Sequence, residues 1–236
     1  MYNKFNIIFN NKSSLDLGIE VIKRPVIPSP QPVYNSYSIP GKSGMEYELE
    51  GYEDIEIEVN FNFLDRENMY ERFLECKRWI NSINDNKLIF SDNLGVFYKV
   101  NYATITSNER VFKVIGKFTV TFNCEPFAYE FEGQNEIEVN NSATVYNYGD
   151  FKSKPIIKIK GEGLITINLN DEIIKVNVGQ NIIIDSYLEL SYKEDKTPQN
   201  SNVKGKYPFL RLGENSISYS GGRVNSFIII PNWVIY

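Results

Sequence analysis

The chain contains no histidine. That removes the commonest general base, the usual partner of a Ser or Cys nucleophile and the commonest metal ligand. Histidine-based hydrolysis is excluded; carboxylate-pair chemistry and Ca²⁺ binding are not. Cysteine is scarce too, and Cys76 and Cys124 are too few for a disulfide framework or a zinc site. Each reads as a free, buried thiol. Lys and Arg form no cluster and the formal charge is −5, so binding a phosphate backbone by charge neutralisation is not expected. Long apolar runs are missing as well. The stretch from Met1 to Phe9 is too short for a signal peptide and no later segment could span a bilayer. The expectation is a protein made and folded in a cytoplasm, with no membrane insertion.

What is present points to strands. Aromatics make up 14% of 236 residues, with 16 Tyr and 15 Phe, beside many Ile and Val. At 42% hydrophobic and 23% charged the chain can build a core, and its length allows one large or two modest domains. Phe5, Ile7 and Phe9 alternate with polar neighbours, and Leu17, Ile19 and Val21 continue an extended segment. The segment from Arg24 to Pro32 holds Pro25, Pro28, Pro30 and Pro32. Each proline fixes φ and removes a donor, so this is an extended, semi-rigid arm and not a central strand.

Glu46, Glu48 and Glu50 alternate with Tyr47 and Leu49; then Ile55, Ile57, Val59, Phe61 and Phe63 form an apolar face opposite Glu56 and Glu58. Paired as a hairpin, these two segments would carry a dense row of carboxylates on one side, which needs compensation. A splayed, solvated face with counter-ions is one reading; a row facing a basic neighbour is the other. Asp65 is placed to cap a helix running to about Asn81, with Glu67 in its first turn and Lys77 and Arg78 in its last. Met69, Phe73, Cys76 and Ile80 give that helix a core-facing stripe, with Tyr70 and Trp79 flanking it. Segments 88–90 and 96–100 suggest a hairpin about a 91–95 turn, and Phe118, Val120, Phe122 and Cys124 share one strand face.

Pro126 closes the first half, and a boundary between Phe127 and about Asn135 divides the chain into domains 1–130 and 131–236. The second half reads as short strands and turns, among them a 164–170/173–178 hairpin about Asp171-Glu172, segments 188–190 and 208–210, and turns at Gly161-Glu162-Gly163 and Gly221-Gly222. Such spacing suggests a β-sandwich or jelly roll.

Chemical motifs fail on inspection. Gly41-Lys42-Ser43 would need a glycine at Ser36 and a helix behind it to be a phosphate loop. Gly161-Glu162-Gly163 lacks the third glycine and the helix of a dinucleotide site. Asp150, Asp171 and Asp185 could supply a carboxylate pair, but turns routinely carry Asp. Asn-X-Ser at Asn11 and Asn140 means nothing without secretion. No enzyme, cofactor or metal is expected. The serious competitor is a lectin-like carbohydrate-binding module using Tyr187, Tyr192, Tyr207, Tyr219 and Trp233 as stacking platforms. Those aromatics could equally fill a core or an interface.

An ordered series of short motifs resembles a known family. In the first half these are Ile39-Pro40-Gly41, Val59-Asn60-Phe61, Arg78-Trp79-Ile80, Lys87-Leu88-Ile89-Phe90, Phe97-Tyr98-Lys99-Val100 and the run from Thr121 to Phe127. In the second they are Tyr146 to Asp150, Lys154-Pro155-Ile156-Ile157, Ile184-Asp185, Tyr207 to Leu210 and Gly213-Glu214-Asn215. The series is similar to the distal tail proteins of siphophages, the Dit-like baseplate hub ring proteins. The resemblance implies a mainly β fold: an N-terminal β-sandwich with one α-helix and an extended arm, then a C-terminal galectin-like or jelly-roll β-sandwich. It implies a homo-oligomeric ring of six at the virion tail tip, assembled in the host cytoplasm. That ring would join the major tail or tube protein to the tail-tip hub or tail-associated lysin, and could carry receptor-binding proteins. Galectins use a histidine-containing site that this chain lacks, so sugar binding does not follow. An acidic lumen would repel passing DNA. Glu46, Glu48, Glu50, Glu56 and Glu58 are therefore expected near the lumen or a subunit interface, and the arm from Arg24 to Pro32 against a neighbouring protomer.

Overall fold

Ile55, Ile57, Val59, Phe61 and Phe63 are all buried, while Glu56 and Glu58 between them are exposed. A period of two thus sorts one strand into a core face and a water face. The computed structural model describes residues 4–64, 69–112 and 115–236. They fall into two units, the first ending at Ala128 and the second beginning at Tyr129.

The strands of the first unit are β1 (Ile7–Phe9), β2 (Lys12–Ser13), β3 (Ile19–Val21), β4 (Pro32–Ser38), β5 (Met45–Tyr52) and β6 (Ile55–Leu64). Helix α1 (Met69–Asn81) follows, then β7 (Lys87–Phe90), β8 (Asn93–Phe112) and β9 (Ile115–Glu130), whose last two residues belong to the second unit. Seven strands make one sheet in the order β2-β1-β7-β8-β9-β6-β3. β6 pairs antiparallel with β9 from Ile55 opposite Cys124 to Leu64 opposite Ile115. Phe61 stacks on Phe118 at 5.1 Å and Phe9 meets Phe122 edge-on at 5.2 Å, so aromatics dominate this core.

Helix α1 covers that core. Phe73, Cys76, Trp79 and Ile80 are buried, whereas Tyr70 is 74% exposed. Trp79 lies edge-on to Phe9 and Phe61. Arg78 in the last turn suits the negative end of the helix dipole. The expected cap Asp65 and first-turn Glu67 lie outside the described residues.

The second unit carries β10 (Ile137–Glu138), β11 (Ser142–Asn147), β12 (Ile156–Leu169), β13 (Glu172–Asp185), β14 (Leu190–Tyr192), β15 (Val203–Lys204), β16 (Gly213–Ile230) and β17 (Val234–Ile235). The sheet order is β10-β16-β12-β13-β14, with β11 also on β16 and β15 also on β13. β12 and β13 hold one unbroken register across fourteen residues, from Ile156 opposite Asp185 to Leu169 opposite Glu172.

These long strands run through positions expected to be turns. Gly161-Glu162-Gly163 is not a turn between strands but the middle of β12, and Gly221-Gly222 lies inside β16. The pairing of β12 with β16 shifts register on either side of this level, which is where bulges bend a sheet. Gly161 permits a close approach there: a Cβ on it would sit 2.1 Å from the Arg223 carbonyl oxygen. Ile157 and Ile159 below the bend and Ile165, Ile167 and Leu169 above it join one buried cluster, so the sheet curls around a single core. Two further expected strands are smaller than their sequence suggested. Residues 186–189 form a turn, and Pro208-Phe209-Leu210 contributes one bridge, Leu210 to Ser153.

Candidate assembly surface

Both ends of the arm are fixed to its own unit. Arg24 pairs with Asp92 and lies 4.9 Å from the Phe5 ring centre. At the far end the Glu53 N–H donates to the Gln31 carbonyl at 2.9 Å. Between them the chain is extended. Pro28 is exposed, Pro25 and Pro30 are half-buried, and Pro32 opens β4 opposite Tyr52. Pro32 sits there without loss because an edge position needs no donor.

β5 does not pair with β6 as a hairpin. It pairs with β4 in a separate two-stranded sheet, so the five expected carboxylates do not form one row. Alternation identifies a segment as a strand but not its partner: β5 follows β4 across residues 39–44 and precedes β6 by only residues 53–54, yet it pairs with β4. Register places Tyr34 opposite Leu49, Asn35 opposite Glu48, Ser36 opposite Tyr47, Tyr37 opposite Glu46 and Ser38 opposite Met45. The ribbon therefore has two unlike faces. One carries Tyr34, Tyr47, Leu49 and Met45, with the two tyrosine rings 6.4 Å apart. The other carries Glu46 and Glu48 beside Asn35 and Tyr37. Glu50 is the extra residue of a bulge, since Val33 faces Gly51 and Tyr34 faces Leu49.

Among the described residues nothing covers the apolar face. Tyr34, Met45, Tyr47 and Leu49 are 47–67% exposed. A clustered apolar surface of this kind marks a contact site more often than a free surface. Lys42 neutralises Glu46 across the turn; among the described residues Glu48 and Glu50 have no ion-pair partner.

Glu56 and Glu58 belong to a different surface, the water face of the β6–β9 pair. Glu56 lies opposite Asn123 and Glu58 opposite Thr121. Neutral polar groups surround them. Asn60 donates to Glu58 at 3.3 Å, Thr119 donates to Asn60 at 2.7 Å, and Asn101 donates to both Asp54 and Asn123. Cys76 and Cys124 are both buried, which pushes each thiol up to about 12. Neither is a nucleophile at neutral pH. Among the described residues no cluster of His, Cys, Asp or Glu could hold a metal ion.

The proposed sugar platforms are occupied. Tyr219 stacks on Phe227 at 4.9 Å, Trp233 is buried, and Tyr207 shares a hydrogen bond with Ser191. Lys154 and Lys196 lie over the rings of Tyr187 and Tyr192. The exposed aromatic pair of this unit is instead Tyr146 and Tyr148.

A family model, the phage tail protein RIFT-related domain, matches residues 13–124. That match takes in most of the first unit. Over the whole chain, the fold is that of a siphophage distal tail protein. It superposes on the crystal structure of SPP1 Dit (gp 19.1), titled a paradigm of the hub adsorption apparatus in phages infecting Gram-positive bacteria. The TM-score is 0.62 at 16% identity, over 95% of this chain and 97% of that one. Two chains of the phage p2 baseplate in its activated conformation, with Sr and with Ca, match at a TM-score of 0.51 with 9% and 10% identity. They cover 96–97% of this chain and 97–98% of theirs. No curated protein matches. The mainly β character, the single helix among the described residues and the extended arm agree with the expected fold class.

Proposed function

We propose that this chain is a structural component of a phage tail tip, a distal tail protein whose first unit closes into a ring of six. The observation that carries this reading is the β4–β5 ribbon, a two-stranded element whose apolar face is left exposed by the described residues of the single chain. Such a ribbon is marginal alone and gains stability only against another surface. A neighbouring copy supplies that surface, with the arm from Arg24 to Pro32 lying along it. The fold shared with SPP1 Dit and the tail-domain match support the same role.

In this reading Glu56 and Glu58 face the lumen, where fixed negative charge keeps DNA from adhering. The ring joins the tail tube to the tail-tip hub or tail-associated lysin. The second unit, a galectin-like sandwich, faces outwards and can carry receptor-binding proteins. The role is assembly without catalysis.

Light scattering over a concentration series tests it. The expected species is six times the 27.3 kDa monomer, and replacing residues 32–52 with a short Gly/Ser linker should leave a folded monomer. A shortened chain that still forms the full-size oligomer would refute the ribbon's part in closure.

A further inference from the structure

Two surfaces of the first unit carry charge that has no ion-pair partner among the described residues. One is a groove of about 330 Å³ where the end of α1 meets the β1–β2 turn, lined by Asn10, Lys12, Leu17, Glu75, Arg78 and Trp79. Its floor is fixed. Asn10 accepts from the N–H groups of Asn84 and Asp85 and donates to the Trp79 carbonyl. The acids around it are engaged: Glu75 pairs with Arg72 at 3.1 Å, Asp85 with Lys87 at 3.0 Å, and Asp16 accepts from the Ser13 N–H. Lys12 and Arg78 are exposed, and among the described residues neither has an ion-pair partner. The groove therefore presents two free cations over a partly apolar floor.

The second surface is the acidic side of the β4–β5 ribbon, where Glu48, with Glu50 in the bulge beside it, has no ion-pair partner among the described residues. From Tyr34 to Glu50 every residue but Glu46 is exposed, so the ribbon stands clear of its own unit. No hydrogen bond or ion pair among those described joins it to the Lys12–Arg78 groove.

We propose that the acidic side of the ribbon of one copy docks on the Lys12–Arg78 groove of the next, an inference that rests on the ring reading above. Charge decides the orientation. Glu48 and Glu50 meet two free cations, whereas anywhere along the Glu56–Glu58 face they would meet like charge. Because donor and acceptor are different patches of one chain, the contact is head-to-tail. Repeated in one sense from copy to copy, such contacts generate closed rings or open fibres. The aromatic side, on the ribbon's opposite face, is covered elsewhere on a neighbouring copy, as the ring reading above requires.

Charge reversal in the full chain is the test. Glu48→Lys with Glu50→Lys, and separately Lys12→Glu with Arg78→Glu, should each raise the concentration needed for assembly at least tenfold. All four changes together should restore it. Thermal unfolding of each variant near the wild-type temperature confirms that exposed positions were altered without loss of fold. Two results overturn the docking mode and leave the ring standing: reversed variants that assemble like wild type, or blocked variants that the combined chain does not rescue. A wild-type chain that stays monomeric at every concentration overturns the ring reading itself, and this docking with it.

Discussion

Trp79 donates its indole N–H to the carbonyl oxygen of Phe9 at 2.8 Å, joining the last turn of α1 to β1 across a separation of 70 residues. The bond is buried, and Phe9 and Phe61 both lie edge-on to the indole. Trp79→Phe keeps an aromatic ring but leaves the carbonyl unpaired and a small void. The expected loss is about 2–3 kcal/mol, combining an unmade buried bond with lost volume. Urea unfolding checks it: the midpoint should fall while the slope stays the same.

The two thiols contribute to the alkaline limit of stability, as do Tyr98 and Tyr192, whose hydroxyls burial also pushes up. Burial raises Cys76 and Cys124 from an ordinary 9.0 to about 12. The folded state thus holds two protons that the unfolded chain releases earlier, so stability is full below pH 9 and is lost progressively as pH rises towards 12. No histidine titrates between, and melting temperature should be nearly flat from pH 6 to 8. A thiol-specific reagent at pH 8 should modify neither cysteine until the chain unfolds. Rapid labelling of the native protein would contradict this.

Gly161→Ala should destabilise the second unit alone. The added methyl would sit 2.1 Å from the Arg223 carbonyl oxygen, and backbone cannot swing aside as a side-chain tip can. An overpacking cost of about 1–3 kcal/mol is expected. Fluorescence of Trp233 should report it, while the signal of Trp79 in the first unit stays unchanged.

Glu56 and Glu58 offer a functional test apart from stability. Both are exposed strand residues, so Glu56→Lys with Glu58→Lys should change stability by no more than about 0.5 kcal/mol. Phage built with that chain should assemble tails and yet eject DNA more slowly, because a basic lumen would hold phosphate. Ejection at the wild-type rate would place these carboxylates away from the DNA path.

Much of this fold is legible in the residues because one face is wet and the other dry. The alternation from Ile55 to Phe63 and the helical stripe of Phe73, Cys76 and Ile80 both point at real cores. Partnering is not legible that way. Period two marks β5 as a strand but gives no preference between β4 and β6, and only the register reveals the split between tyrosines and glutamates. Gly161-Glu162-Gly163 carries the same composition as a turn, and its place inside β12 depends on what crosses it in β16. The Lys12–Arg78 groove leaves no local signal, since its two cations are 66 positions apart and meet only through Asn10 and Trp79.

The continuity of β12, β13 and β16 through the bend has a mechanical consequence. In a sandwich whose layers are joined by loops, force on one layer is resisted by side-chain packing. Here the same three backbones run through both halves of the curled sheet, and the β12–β13 ladder is unbroken from end to end. A pull applied along these strands is carried by covalent bonds and by hydrogen bonds loaded together in shear. Force along these strands would therefore be shared by the whole β12–β13 ladder and not concentrated on a connecting loop.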